Sequence, residues 1–134
     1  MQYLADLRCE SKLVPAAGSL ERYRVSEMLD YINSEIHKSY GPLFSEETTA
    51  EVRTEKQDYL RKRYAVVEST LAGKQYLFGD DFTIADAYLF TVTSWAGYVK
   101  LGLSGLSNLL AFQKRVAARP AVQAAMKAEG LLPS

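Results

Sequence analysis

The most constraining feature of this sequence is the apolar pattern of residues 83–101. Apolar side chains recur there every three or four residues, which is the spacing of one face of an α-helix. The members of this face are Ile84, Tyr88, Val92, Trp95 and Val99. Leu89 and Phe90 add a second apolar face, so the pattern predicts a helix over residues 83–101 that packs at the centre of a helical core.

Two helices are predicted before this one. Ser19 is a favourable N-cap for an apolar pattern that continues to about Lys38. Gly41–Pro42 is expected to stop that helix, because proline lacks an N–H and its ring clashes with a continuing helix. Thr48 and Glu51 have the spacing of a capping box, in which each side chain covers a free backbone N–H of the other, so the second helix is predicted to begin at Thr48.

Two shorter helices are predicted after the central one. The first follows Gly105 and is broken at Arg119–Pro120, and the second ends at Gly130. No run of alternating apolar and polar residues lies between turn signals, so no strand is predicted. The predicted fold class is all-α, a bundle of about five helices.

Charge and composition exclude several classes of function. The 134 residues include 16 Lys plus Arg and 16 Asp plus Glu, so the net charge is zero and nothing favours nucleic acid or an anionic membrane surface as a partner. One cysteine excludes an intramolecular disulfide and a cysteine-rich zinc site, and one histidine excludes a multi-histidine metal site. Neither a long apolar run nor a basic-then-apolar leader occurs, so we expect a soluble cytoplasmic protein without a bound metal.

Thr83 and Asp86 carry the most informative local signal. Their spacing matches a capping box at the start of the central helix, with Asp in place of the usual Glu or Gln. A carboxylate there also faces the positive end of the helix dipole. The functional alternative makes Asp86 a general base or a metal ligand. Because no second ligand is nearby in the sequence, the structural role is favoured.

Residues 82–90, Phe-Thr-Ile-Ala-Asp-Ala-Tyr-Leu-Phe, resemble the capping box and hydrophobic staple that begin the central helix of glutathione S-transferase C-terminal domains. Ser19–Tyr23, Glu35–Lys38 and Arg119–Val122 look like the bacterial beta class of that family, and the resemblance covers essentially the whole chain. It implies part of a homodimeric transferase that conjugates glutathione to hydrophobic electrophiles in detoxification. Glutathione would be a co-substrate, and no cofactor is implied.

The resemblance also divides the chain. Residues 1–18 look like the last helix of a thioredoxin-like domain followed by a linker, and residues 19–134 look like the helical domain. In the family, the thioredoxin-like domain supplies most of the glutathione site, so the chain without it is expected to be inactive and to contain no complete catalytic site. The alternative is another class of function, a non-catalytic helical module that binds apolar ligands or a partner protein.

His37, Lys38 and Asp30 are the residues that the resemblance places near glutathione. His37 is the only imidazole, and on the residues alone it also fits a solvated or hydrogen-bonded surface histidine. The resemblance implies that His37 and Lys38 face the glutathione sulfur, where an N–H group and a positive charge favour a thiolate. Asp30 stands where the beta class commonly has an Asn that reaches glutathione bound by the other subunit. A solvated helix aspartate is the alternative.

Two aromatic residues, Tyr40 and Trp95, match positions near the family's substrate pocket, although the helical spacing of Trp95 favours a core role for that residue. Cys9 lies near the start of the chain, as the catalytic cysteine of beta-class enzymes does. Here it follows the first short helical segment and belongs to no Cys-x-x-Cys motif, so we expect it to have no catalytic role.

Overall fold

The computed structural model describes residues 1–8 and 12–132, and this part of the chain is all helical. Its helices are α1 Gln2–Asp6, α2 Leu20–Tyr31, α3 Gly41–Phe44, α4 Ala50–Thr70, α5 Ile84–Ser94, α6 Ser107–Ala117 and α7 Pro120–Ala128. The five that have nine or more residues confirm the predicted all-α bundle. Within these described ranges, the β pairing is confined to one isolated bridge, and no helix has the length and apolar character needed to cross a membrane. Cys9 lies outside the described residues.

The chain stays helical well beyond α2. Ser19 is its N-cap, as predicted, and the Ser19 hydroxyl accepts a backbone N–H of the first turn at 3.2 Å. A π-helical turn, Ile32–Ile36, and a 3₁₀ turn, His37–Tyr40, lead directly into α3. The predicted stop at Gly41–Pro42 is therefore wrong. Pro42 occupies the first turn of α3, where a missing N–H removes no helical hydrogen bond.

The N-terminus of α4 differs by one residue from the prediction. Thr49, not Thr48, is the N-cap, and its hydroxyl accepts the N–H of Val52 at 3.4 Å. The Thr48 hydroxyl instead donates to the carbonyl of Pro42 and ties the loop before α4 to α3. The predicted capping box of Thr48 with Glu51 is wrong because this tertiary hydrogen bond uses the Thr48 side chain.

The predicted central helix is α5. Its Leu89 and Val92 side chains are fully buried, and it packs against α2, the π-helical turn and α6. It ends at Ser94 rather than at the predicted Leu101. Residues 95–100 continue as turns, and the last of them, Lys100, takes a left-handed conformation with φ 56°. This early end places Trp95 at the C-cap of α5.

The N-terminus of α6 is capped from another helix. Leu106, its N-cap residue, makes no side-chain capping hydrogen bond. Glu68 of α4 supplies the missing acceptor, because its carboxylate accepts the N–H groups of Asn108 at 2.9 Å and Leu109 at 2.8 Å. A negative charge at this position also faces the positive end of the helix dipole. This carboxylate thus joins α4 to α6 at the edge of the core.

Candidate functional site

The turns that follow α2 position the only histidine of the chain. Ile32 and Ile36, the first and last residues of the π-helical turn, are fully buried and anchor this wider turn to the core. His37 comes next, begins the 3₁₀ turn and is half-buried. Because a π turn inserts an extra residue into a helix, it changes the direction of the side chains after it, and such turns are frequent at functional sites.

A groove of about 510 Å³ opens beside His37. The Trp95 ring contacts the other rings of the groove, with its centroid 4.9 Å from that of His37 and 5.8 Å from that of Phe44. The Tyr40 ring lies 5.7 Å from Trp95, and all three rings meet the indole edge to face, which is a favourable arrangement for aromatic pairs. The residues lining the groove are His37, Lys38, Tyr40, Gly41, Phe44 and Trp95. The groove therefore combines an aromatic wall with an imidazole and an ammonium group.

The Tyr40 hydroxyl forms a hydrogen bond in the core below the groove. Tyr40 and Tyr64 are both fully buried, and their hydroxyl oxygens are 2.8 Å apart in a hydrogen bond. Burial raises the pKa of Tyr64 to about 12 and also raises the pKa of Tyr40 well above its ordinary value. Tyr40 thus forms an aromatic floor and stays protonated, rather than presenting a titrating phenol to a ligand.

Behind His37 lies a chain of hydrogen bonds. Its Nδ1 atom is 2.6 Å from the hydroxyl of Tyr88, whose ring also packs edge-on against the imidazole with centroids 5.7 Å apart. The Tyr88 hydroxyl donates in turn to Oδ1 of Asn33 at 3.2 Å. Burial raises the pKa of Tyr88. The imidazole is therefore held by α5 from one side and by the indole of Trp95 from another.

Lys38 and Asp30 have different relations to this groove. Lys38 lines it and is exposed, and no ion pair to Lys38 occurs among the described residues. Asp30 lies in the last turn of α2 and is exposed, but it does not line the groove. The fold thus brings together four of the predicted residues, His37, Lys38, Tyr40 and Trp95, and leaves Asp30 on a separate surface.

Thr83 and Asp86 lie at the other end of α5 and form a capping box. The buried Asp86 carboxylate accepts three hydrogen bonds of 2.8 Å, from the Leu77 N–H, the Thr83 N–H and the Thr83 hydroxyl. Burial raises the pKa of Asp86, and these donors oppose that shift. The eleven residues of α5 separate this cap from Trp95 by about 16 Å along the helix axis. No group of three His, Cys, Asp or Glu side chains suited to a metal ion occurs in the described part of the chain.

Sequence reasoning missed four residues of the site. Phe44 and Gly41 line the groove. Each follows another groove residue at helical spacing, Gly41 after His37 and Phe44 after Tyr40, so this spacing could have predicted them. Tyr88 and Asn33 had no such signal as partners of His37. The Tyr88 and His37 side chains are 51 residues apart in the sequence and meet only because α5 packs on the π-helical turn.

Comparison with known proteins agrees with this architecture. The family pattern "Glutathione S-transferase, C-terminal domain" matches residues 6–120. Glutathione S-transferase GstA of Escherichia coli O157:H7 is 45% identical over 131 residues, which cover 98% of this chain and 65% of the relative. A crystal structure of a glutathione transferase from Methylococcus capsulatus has 48% identity and a TM-score of 0.94, with 98% of this chain and 65% of that one covered.

A bacterial beta class glutathione S-transferase of Sphingomonas chungbukensis is 36% identical, with a TM-score of 0.91 and coverage of 98% of this chain and 65% of that one. The chain thus spans slightly less than two thirds of the length of each of these relatives. These findings confirm the resemblance that the capping segment and the Glu35–Lys38 stretch indicated. The chain belongs to the glutathione S-transferase family and has the fold of its C-terminal domain.

Proposed function

We propose that this chain is the electrophile-binding part of a beta-class-like glutathione transferase, which conjugates glutathione to hydrophobic electrophiles. The single observation that carries the proposal is the groove in which an aromatic wall meets His37 and Lys38. Apolar aromatic pockets with a few polar groups are the usual form of small-molecule sites. We place this activity in the cytoplasm as part of the same proposal.

In this proposal the glutathione sulfur lies beside His37. An N–H of the imidazolium donates a hydrogen bond to the thiolate, and the positive charge of Lys38 favours the anion over the thiol. Trp95 and Phe44 hold the apolar electrophile against the sulfur, so two reactants are held in contact and the thiolate attacks the electrophilic atom. Each of these side chains lines the one groove.

We propose residues 1–18 as the last helix of a thioredoxin-like domain with its linker, and residues 19–134 as the helical domain. Three exposed apolar side chains support this division: Tyr3 and Leu4 of α1, and Leu7 directly after it. A bidentate pair between Arg22 and Asp6, with both contacts at 2.8 Å, holds α1 against α2. Binding of glutathione would depend on the thioredoxin-like domain.

A homodimer is part of the proposal, with Asp30 near glutathione bound by the second subunit. Leu20 and Tyr23 support an interface on α2, since both are large and exposed on the helix that carries Asp30. Sedimentation of the chain at increasing concentration should show reversible dimers. A strictly monomeric species at the highest concentration would contradict this part of the proposal.

The activity is tested with a fusion protein. The thioredoxin-like domain of a beta-class glutathione S-transferase is joined in frame before Met1, and conjugation of glutathione to an aryl halide is measured. The fusion should turn over, whereas the 134-residue chain alone should show neither turnover nor saturable binding of glutathione near physiological concentration. A folded fusion that binds glutathione but forms no conjugate would contradict the transferase proposal.

A second candidate function is favoured by one specific observation. Phe44 lines the groove and is 53% exposed, so the groove offers an apolar ligand an accessible aromatic ring whether or not a reaction follows. An apolar fluorophore is titrated into the chain alone and compared with the Phe44→Ala variant. Binding that is lost in the variant, together with an inactive fusion, would favour the non-catalytic module over the transferase.

A further inference from the structure

The hydrogen bonds behind His37 constrain the position of its ring proton. Nδ1 of His37 lies 2.6 Å from the Tyr88 hydroxyl, and that hydroxyl donates to Asn33 Oδ1 at 3.2 Å. A neutral imidazole carries one proton on either of its two nitrogens, and the partner of one nitrogen decides which tautomer is present. Nδ1 has such a partner here.

Tyr88 has two hydrogen-bond neighbours, His37 and Asn33, but its phenol has a single proton. When that proton is donated to the amide oxygen of Asn33, the Tyr88 oxygen accepts from His37, and Nδ1 then carries the imidazole proton. Burial raises the pKa of Tyr88, so the phenol stays protonated through the neutral range.

We propose that Tyr88 and Asn33 are positioning residues that hold neutral His37 in its Nδ1–H tautomer, so that the lone pair of Nε2 faces the groove. Ring contacts support the same orientation. The edge-on contacts of the imidazole with Trp95, at 4.9 Å, and with Tyr88, at 5.7 Å, restrict rotation of the ring about its own axis. His37 itself lines the groove.

The consequence for chemistry rests on the function proposed above. A thiol in the groove meets an imidazole nitrogen that can accept a proton. The S–H bond breaks, the proton binds Nε2, and the electron pair stays on sulfur as a thiolate. The imidazolium then donates its new Nε2–H to that thiolate, and the exposed ammonium of Lys38 adds a second positive charge to the groove.

The test uses the single histidine of the chain as a spectroscopic probe. Long-range ¹H–¹⁵N correlation spectra of the ¹⁵N-labelled 134-residue chain identify which imidazole nitrogen is protonated once the ring is neutral. The proposal predicts a protonated Nδ1 and an unprotonated Nε2. A neutral ring protonated mainly at Nε2 would overturn it, because Tyr88 would then be the donor to Nδ1.

Two variants act on the tautomer in different ways. Tyr88→Phe keeps the aromatic ring but removes the hydroxyl, so the population ratio of the tautomers should move toward Nε2–H by roughly two- to tenfold, the worth of one net hydrogen bond. Asn33→Ala frees the Tyr88 proton for donation to Nδ1 and should reverse the pattern. Asn33 is exposed, so this variant is expected to fold even if Tyr88→Phe does not.

Tyr98→Phe is the matched control, since it removes a phenol from a side chain that is 74% exposed and does not line the groove. It should leave the imidazole spectrum unchanged. Asn33→Asp should also show the wild-type pattern, because it keeps an oxygen that accepts from the Tyr88 hydroxyl. Wild-type patterns in both Tyr88→Phe and Asn33→Ala would contradict the proposal. Failure of the fusion to conjugate glutathione, with the predicted tautomer present, would contradict only the proposed function.

Discussion

The two ends of α5 have different roles in the molecule. At the N-terminal end, the Asp86 carboxylate is buried and accepts three hydrogen bonds from its own neighbourhood. At the C-terminal end, Trp95 is half-buried and borders a groove with an exposed cation and a half-buried imidazole. The Asp86 carboxylate is thus enclosed, whereas the ammonium of Lys38 at the second end is exposed to solvent. Completed hydrogen bonding therefore distinguishes a structural polar cluster from a site that can bind a ligand.

The largest loss of stability is expected when the hydrogen bonds at the N-terminal end of α5 are removed. Asp86→Ala leaves three buried donor groups without an acceptor, and it should lower the free energy of unfolding by about 3–5 kcal/mol. Urea denaturation measures the change. Asp81→Ala is the control, since Asp81 is an exposed residue of the same loop and should change stability by less than about 0.5 kcal/mol. Equal losses in the two variants would show that the hydrogen bonds to Asp86 do not stabilise the fold.

Below the C-terminal end, the buried tyrosine pair predicts a loss of stability at alkaline pH. Burial raises the pKa of Tyr64 to about 12, whereas the unfolded residue ionises near pH 10. A raised pKa means that stability is fully present below about pH 10 and is lost as pH rises toward 12, by about 3 kcal/mol for this residue.

Urea denaturation at pH 9, 10 and 11 checks this prediction, with Tyr64→Phe and Tyr98→Phe compared with wild type. Tyr64→Phe should flatten the loss between pH 10 and 11, and Tyr98→Phe should not, because Tyr98 is exposed. An unchanged slope in Tyr64→Phe would contradict the role assigned to the buried phenol.

A smaller loss of stability is expected from a substitution in the groove at the C-terminal end of α5. Phe44 lines the groove but is 53% exposed, so Phe44→Ala should cost no more than about 1 kcal/mol of unfolding free energy. Its affinity for an apolar fluorophore should fall several-fold, because the wall of the groove loses an aromatic ring. Fluorescence titration measures this, and a variant that binds as wild type would remove Phe44 from the site.

Local sequence patterns predicted the helix caps of this molecule better than they predicted features that depend on tertiary contacts. The capping box of Thr83 and Asp86 and the N-cap at Ser19 depend on residues three apart, so spacing alone was enough. At the start of α4 two adjacent threonines offered equivalent signals, and a contact with Pro42 decided between them. The early end of α5 was also hidden from its apolar pattern, because residues 95–99 keep helical spacing in a chain that is no longer helical.

Local patterns also could not predict the hydrogen-bond partners of the site residues, because these partners are distant in the sequence. Glu68 caps a helix about 40 residues away, and Tyr88 meets His37 across 51 residues. Sequence spacing and resemblance named His37, Lys38, Tyr40 and Trp95, but the groove that joins them depends on the π-helical turn. That turn has no distinctive residue in the sequence, and its first and last residues, Ile32 and Ile36, are both buried in the core.

A single kinetic measurement, kcat/KM of the fused two-domain protein with His37→Ala, tests whether function lies at the C-terminal end of α5. We expect a loss of roughly ten- to hundredfold in glutathione conjugation by a variant that stays folded, the worth of one hydrogen bond to a charged group. Wild-type kcat/KM in a folded His37→Ala fusion would show that the groove beside Trp95 is not the site of the reaction.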